Sequence, residues 1–384
     1  MSKPIKYPRS NPARAFDVVF DNAYSESENK GKTKEPDYVR ELVSEKTIRE
    51  LNTAAASIYD ENINIVRFMG GFIHGRPWAK FDATAIGMPP SECRRELADA
   101  LVVLVMTHQD GTGCQVTYGK RACLLQAKVS NSNPPTMINF APKGALLPAG
   151  TDEQQLYLYN QWPNFSLESK SGRAVAGKGL YSLMHASSAI PAPYGKYTFL
   201  WTPGTTTTWG QNWRYADPIP TISSINSLGE LFEKIVDCDS SSGADVSLST
   251  PVTDWDYLIT DLLNYADTHS YAGPRLVNPA GLSFISLIDT VIPHSATLLQ
   301  HARFIGSHYS LGQFAPRYWR SNSFGHYSSG EVYEDGDEGM PIMLITVSSF
   351  APPEGGEQPT AQQKRKAVEN AFQQLSRLGR GKLS

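Results

Sequence analysis

Apolar residues recur along this chain in two rhythms, and the switch from one to the other marks its elements. From Asp37 to about Glu61 (DYVRELVSEKTIRELNTAAASIYDE), Val39, Leu42, Val43, Leu51, Ala55 and Ile58 fall at the three-to-four-residue spacing of a helix buried along one face. Pro36 and Asp37 suit its start. Ile63–Phe81 mixes apolar residues with glycines and reads as a strand and a loop, and Ser91–Ala98 reads as a short helical turn. Ala98–Met106 (ADALVVLVM) is short, apolar and valine-rich, which predicts a buried strand. Asp110-Gly111 and Gly113 follow as turn signals, and Ala122–Val129 is a second apolar run, ended by Asn131–Pro135 (NSNPP). The two runs predict an antiparallel hairpin.

Further along, Asp152–Gln161 predicts a helix closed by Trp162-Pro163, and Tyr197–Trp201 a strand. Ser227–Val236 and Asp254–Asp267 predict helices with Ser or Asp caps, and Met340–Phe350 another buried strand. Residues 1–35 are polar, carry Pro4, Pro8 and Pro12, and read as a partly ordered arm. Residues 36–165 read as a compact α/β core. Residues 166–360 are loop-rich and read as a large α+β C-terminal extension. Residues 361–384 read as a basic helical tail, with six Lys or Arg against Glu369 alone. No internal repeat is present.

Composition narrows the function. Of 384 residues 40% are hydrophobic, and 7 Trp, 18 Tyr and 15 Phe belong to an ordered chain. The net charge of −3 argues against a protein that coats nucleic acid by electrostatics alone, although a local basic groove fits within it. Cys93, Cys114, Cys123 and Cys238 form no CxxC pair and no disulfide framework, which suits a reducing cytosol. The N-terminus has no apolar stretch of signal-peptide length, and no run approaches the roughly 18 apolar residues of a membrane span. The expected location is cytoplasmic, with no membrane partner.

The candidate chemistry sits at the polar end of the second apolar run, ACLLQAKVS (Ala122–Ser130). Strand side chains alternate, so Leu124, Gln126 and Lys128 share one face and Cys123, Leu125 and Ala127 the other. In an antiparallel hairpin the start of the first strand lies beside the end of the second. That brings Asp99 towards Gln126 and Lys128. A hard cation such as Mg²⁺ takes oxygen ligands, and Asp99 and the Gln126 carbonyl supply two. Such a metal acidifies a bound water, and Lys128 would orient that water and offset negative charge. In the bland alternative, Asp99 and Lys128 form an ion pair at a sheet edge and Gln126 is solvated.

The order helix, ELAD strand, turn, LLQAK strand resembles the PD-(D/E)xK nuclease superfamily in its QxK variant, over roughly residues 37–165. The resemblance implies a restriction-endonuclease-like mixed sheet flanked by helices. It also implies a Mg²⁺- or Mn²⁺-dependent endonuclease acting on nucleic acid, DNA in the first instance. The matching site residues are Asp99, Gln126 and Lys128, with Glu45 resembling the helical acid and Glu96 its rival. It further implies a bacterial defence or restriction setting, with an activating protein partner or a homo-oligomer. The chain departs from the pattern in lacking a Pro before Asp99 and in carrying Gln where an acid is usual, one negative charge fewer at the metal. The alternative function is a non-catalytic interaction protein on the same scaffold.

Other motifs carry less. Gly113–Arg121 fails the phosphate-loop spacing and lacks its Ser/Thr. His294, His301 and His308 recur every seven residues but are too widely spaced for ordinary zinc ligation, and Asp335, Asp337 and Glu338 read as a solvated acidic turn. Trp209–Tyr215 and Arg317–Trp319 mix aromatics with Arg, and read as core or interface ahead of base stacking.

Overall fold

The computed structural model describes residues 11–32, 34–59, 64–73, 77–84, 93–109, 115–130, 136–139, 151–183, 191–201, 212–219, 221–223, 226–268 and 340–350. Three helices come first: α1 (Pro12–Asn29), α2 (Glu35–Glu41) and α3 (Glu45–Ile58). Six strands follow: β1 (Asn64–Ile73), β2 (Trp78–Phe81), β3 (Arg94–Glu96), β4 (Ala100–Gln109), β5 (Gln115–Ser130) and β6 (Thr136–Asn139). After α4 (Thr151–Gln161) come β7 (Phe165–Glu168), β8 (Leu180–Tyr181), β9 (Gly195–Trp201), β10 (Trp213–Ala216), β11 (Thr221–Ser223) and β12 (Asn226–Ser227). The last described elements are α5 (Leu228–Val236), β13 (Ala244–Asp245), α6 (Asp254–Thr268) and β14 (Met340–Phe350).

The main sheet is mixed, with strand order β1-β14-β4-β5-β9-β10-β12, and β13 adds to β5. β4 and β5 are antiparallel, β5 and β9 parallel, and β14 runs parallel to β4 but antiparallel to β1. Helices cover both faces, which is why β4 reads as one unbroken apolar run. Leu101, Val103 and Val105 join Leu124, Tyr197 and Phe199 in a cluster with α4 and α6. Ala100, Val102 and Leu104 join Cys123, Leu125 and Ala127 in a second cluster with α1, α3 and α5. A smaller sheet, β3-β2-β7-β8, packs Ala79, Phe81, Phe165 and Leu167 into the first cluster. The outer edge of β1 is met by α3: Asn52 donates to the Phe68 carbonyl at 2.8 Å and accepts from its N–H at 2.9 Å.

Several expectations are corrected. The supposed arm holds α1, capped by Asn11, whose side chain accepts from Arg14 N at 2.8 Å, with Pro12 in the first turn. Its Phe16, Val19, Phe20 and Ala23 are core residues, so polar flanks concealed a helical stripe. The single helix expected over 37–61 is two, because Ser44 caps a fresh start at α3 by accepting from Thr47 N at 3.2 Å. The turn expected over 91–98 contains strand β3. The boundary expected at 165 does not divide the sheet, since β9 pairs with β5 and β14 lies between β1 and β4. Cys114, Trp209, the three spaced histidines, the acidic turn near 335, Arg317–Trp319 and the 361–384 tail lie outside the described residues. No described helix is long and apolar enough to cross a membrane.

Candidate functional site

Asp99 sits one residue ahead of β4, where that strand stops short of its partner. Its N–H donates to the Leu125 carbonyl at 2.9 Å, prolonging the β4–β5 ladder by one step. Beyond that step β5 continues with no β4 residue opposite it. The Asp99 carboxylate takes the vacant place: Oδ2 accepts the Ala127 N–H at 2.7 Å and a short bond from Gln126 Nε2. Asp99 and Gln126 are 2% and 1% exposed, so these bonds form away from water.

On its other side β5 pairs in register with β9, Gln126 beside Tyr197 and Lys128 beside Phe199. Gln126 therefore lies between the Asp99 edge and the β9 aromatics. Its amide nitrogen is engaged, yet its Oε1 is buried with no hydrogen-bond partner among the described residues. The Tyr197 hydroxyl is in the same position. Burial pushes the Tyr197 phenol well above its usual pKa, and the carboxylates of Asp152 and Asp99 push it further. Tyr159, from α4, is raised in the same way, first by burial and then by Tyr197 and Asp99. Its hydroxyl donates to the Leu97 carbonyl at 2.7 Å.

Lys128 marks where the cluster opens to solvent. Its ammonium lies 3.3 Å from Asp152 Oδ1, with the two side chains 21% and 56% exposed. Asp152 stands in the first turn of α4, where the helix dipole favours a carboxylate. A pair this exposed contributes at most about 1 kcal/mol to stability.

The face assignment made from alternation is what the structure has, with Leu124 in the α4 and α6 cluster and Cys123, Leu125 and Ala127 in the other. Asp99 meets Gln126 directly. The bland alternative differs from the structure in both parts: Lys128 pairs with Asp152, and Gln126 is buried. Glu45 is not brought to this cluster's face. It is the first residue of α3, whose Ile48, Leu51, Ala54 and Ala55 pack into the opposite cluster. Glu96 lies on β3, opposite Trp78 in the smaller sheet, and its backbone carbonyl accepts from Gln155 of α4 at 3.4 Å. Trp213 and Tyr215 of β10 are core residues.

Asp152, Tyr159 and Tyr197 were not singled out by the sequence. The one usable signal was that an acid opens the helix that follows the QxK strand. Among the described residues no three His, Cys, Asp or Glu side chains are grouped to hold a metal. The donors at hand are the Asp99 carboxylate, the Gln126 amide oxygen and, nearer solvent, Asp152. The chain matches no protein-family model, no curated protein and no solved structure.

Proposed function

We propose that this chain is a metal-dependent endonuclease that hydrolyses phosphodiester bonds of DNA, with its site at Asp99, Gln126 and Lys128. The observation that carries the reading is the Gln126 Oε1, a buried acceptor with no partner among the described residues, on the residue bonded to the buried Asp99 carboxylate and one strand repeat from a solvent-reaching ammonium. An orphaned acceptor is costly to bury and asks for a partner. Oxygen donors of this kind fit Mg²⁺ or Mn²⁺.

The order of elements supports the same reading. A helix (α3), a strand (β1), an Asp-led strand (β4) and a strand ending QxK (β5) occur in the chain order of the restriction-endonuclease-like pattern, with β2 and β3 inserted between β1 and β4 and β14 between them in the sheet. A divalent cation held by Asp99 and Gln126 would supply an acidified water and offset charge on the phosphoryl oxygens. The chain's own residues do the rest. The Ala127 N–H fixes the Asp99 carboxylate, and Asp99 in turn holds the Gln126 amide through its Nε2, which leaves Oε1 to the cation. Lys128, released from Asp152 by a phosphate, places a positive charge where negative charge develops. The aromatic wall of Tyr159 and Tyr197 excludes bulk water behind Gln126.

A second reading, a non-catalytic interaction protein on this scaffold, is favoured by the depth at which Asp99 and Gln126 lie and by the existing Lys128–Asp152 pair. Nicking of supercoiled plasmid in Mg²⁺ or Mn²⁺ separates the two. The nuclease reading expects wild-type nicking, reduced on the order of 100-fold or more in Asp99→Ala and in Lys128→Ala. Equal activity in all three proteins overturns the site, and a wild-type protein inert with both metals supports the scaffold reading.

A further inference from the structure

Positive charge is unevenly distributed in this chain. Between Ser169 and Ala216 there are Lys170, Arg173, Lys178, Lys196 and Arg214 and no acid, although the whole carries a net charge of −3. Lys196 is buried against Asp217, and Arg214 is half-buried in the main sheet. Lys178 is paired with Asp254, and Lys170 and Arg173 are on the exposed segment that joins β7 to β8.

That segment begins with a braced turn. Ser169 N donates to the Arg173 carbonyl at 2.7 Å, and Gly172 N to the Ser169 carbonyl at 2.9 Å. Gly172 has φ +82°, a conformation natural to glycine. Arg94 supports the turn from beneath. Its guanidinium reaches the Ser169 carbonyl at 3.0 Å while Nε sits 2.8 Å from Glu168, over the Trp78 ring. Lys170 and Arg173 are thus presented on a fixed backbone, which lowers the ordering cost of binding.

Strand register relates this turn to the site. Glu96, Trp78 and Glu168 form one row across the smaller sheet, with β3 and β7 both antiparallel to β2. β3 and β7 therefore run the same way. Past that row β3 leads to Asp99 in three residues, a span of at most about 10 Å, and β7 leads into the turn. Turn and site leave the smaller sheet by the same end.

We infer that the Ser169–Arg173 turn is a docking surface for the sugar-phosphate backbone of nucleic acid, flanking the Asp99–Gln126–Lys128 site, with Lys170 and Arg173 each neutralising a phosphate. The identity of the partner rests on the nuclease reading; the surface itself does not. Contacts of this kind position a duplex without reading its sequence.

The test is fluorescence anisotropy of the full chain with a random-sequence duplex of about 30 base pairs, without divalent metal, across about 50–300 mM NaCl. The doubly reversed variant Lys170→Glu/Arg173→Glu is expected to bind about 10-fold or more weakly. Its salt slope should fall by about 2, near 0.9 per lost phosphate contact. The charge-conserving variant Lys170→Arg/Arg173→Lys should bind as wild type. In plasmid nicking the reversal should raise KM rather than lower kcat. Unchanged affinity and slope in a protein that nicks DNA overturn the surface and leave the nuclease reading standing. A protein that does not nick but loses binding on reversal overturns the nuclease reading and keeps the surface. A wild type with no affinity for the duplex overturns the surface, as does a reversal that abolishes binding to phosphatidylserine vesicles while sparing DNA.

Discussion

Asp17 and Asp99 are both buried carboxylates that accept a backbone N–H, and they differ in what the rest of their surroundings leaves unmet. Asp17, on α1, accepts Gly229 N at 2.8 Å at the start of α5 and is bonded by the Ser227 side chain. The contact is close because residue 229 is glycine: a Cβ there would run into the Ala13 carbonyl oxygen and the Asp17 carboxylate. Asp17 joins two helices at a helix N-terminus, a structural cap. Its pKa is nevertheless raised to about 7, because burial outweighs those bonds and Asp21 and Glu230 add repulsion. Asp99 caps a strand edge instead, and its neighbour Gln126 keeps an oxygen with no partner among the described residues, two positions before a lysine that reaches solvent. A buried acid whose donors close around it is part of the scaffold. One whose neighbour leaves an acceptor unmet is where a ligand is to be tested for.

Four substitutions would break or sharpen this contrast. The largest expected effect is on catalysis. Lys128→Ala should cut nicking by about 10²–10³, roughly 3–4 kcal/mol of transition-state stabilisation, while moving the thermal midpoint by no more than about 2 °C. A large loss of thermal stability would make Lys128 structural. Next, Asp99→Ala leaves the Ala127 N–H and the Gln126 amide without their acceptor. Urea unfolding should then show a loss of about 2–4 kcal/mol, and a loss under about 0.5 kcal/mol would mean Asp99 does not cap β5.

Asp17→Asn tests the other cluster. The folded protein holds the Asp17 proton more tightly than the unfolded chain, since about 7 exceeds the ordinary 3.8. Asp17 therefore weakens the fold progressively as pH rises from about 4 to about 7, and by a constant amount above that. The asparagine keeps an acceptor for Gly229 N without the charge. It should stabilise the protein at pH 8 by on the order of 2 kcal/mol, with the gain fading towards pH 4. A gain independent of pH between 5 and 8 would remove Asp17 as the titrating group. The smallest effect belongs to Gln126→Glu. If Oε1 holds a cation, the added charge should lower the half-saturating Mg²⁺ concentration in nicking by about five-fold, near 1 kcal/mol. If the cluster is closed, the second buried carboxylate should only destabilise, with no relief from Mg²⁺.

Much of the fold was legible because local periodicity decides it. The valine-rich run of β4, the ACLLQAKVS end of β5, and β9, β14, α4, α5 and α6 follow from alternation, helical stripes and caps read within a few residues. The α1 stripe of Phe16, Val19, Phe20 and Ala23 was equally local but lay among prolines and a polar tail. Asp152 was not legible as a partner of Lys128, because 24 positions separate them and only the crossover through α4 brings them together.

By itself the sequence determined which residues of β4 and β5 share a face, since side-chain alternation is a property of the extended backbone. It also led to the expectation that Asp99 would approach Gln126, while the exact register depended on the shift in the ladder between Met106 and Thr107. Tertiary structure alone decided the rest. It seated β14 from residues 340–350 between β1 and β4 and put α3, which begins at Glu45, on the far face. It also buried Gln126 beside Tyr197 of β9 and handed Lys128 to Asp152. Each of these depends on which distant segments bury a strand's two faces, and that choice is made by packing between elements far apart in the sequence rather than by any local pattern.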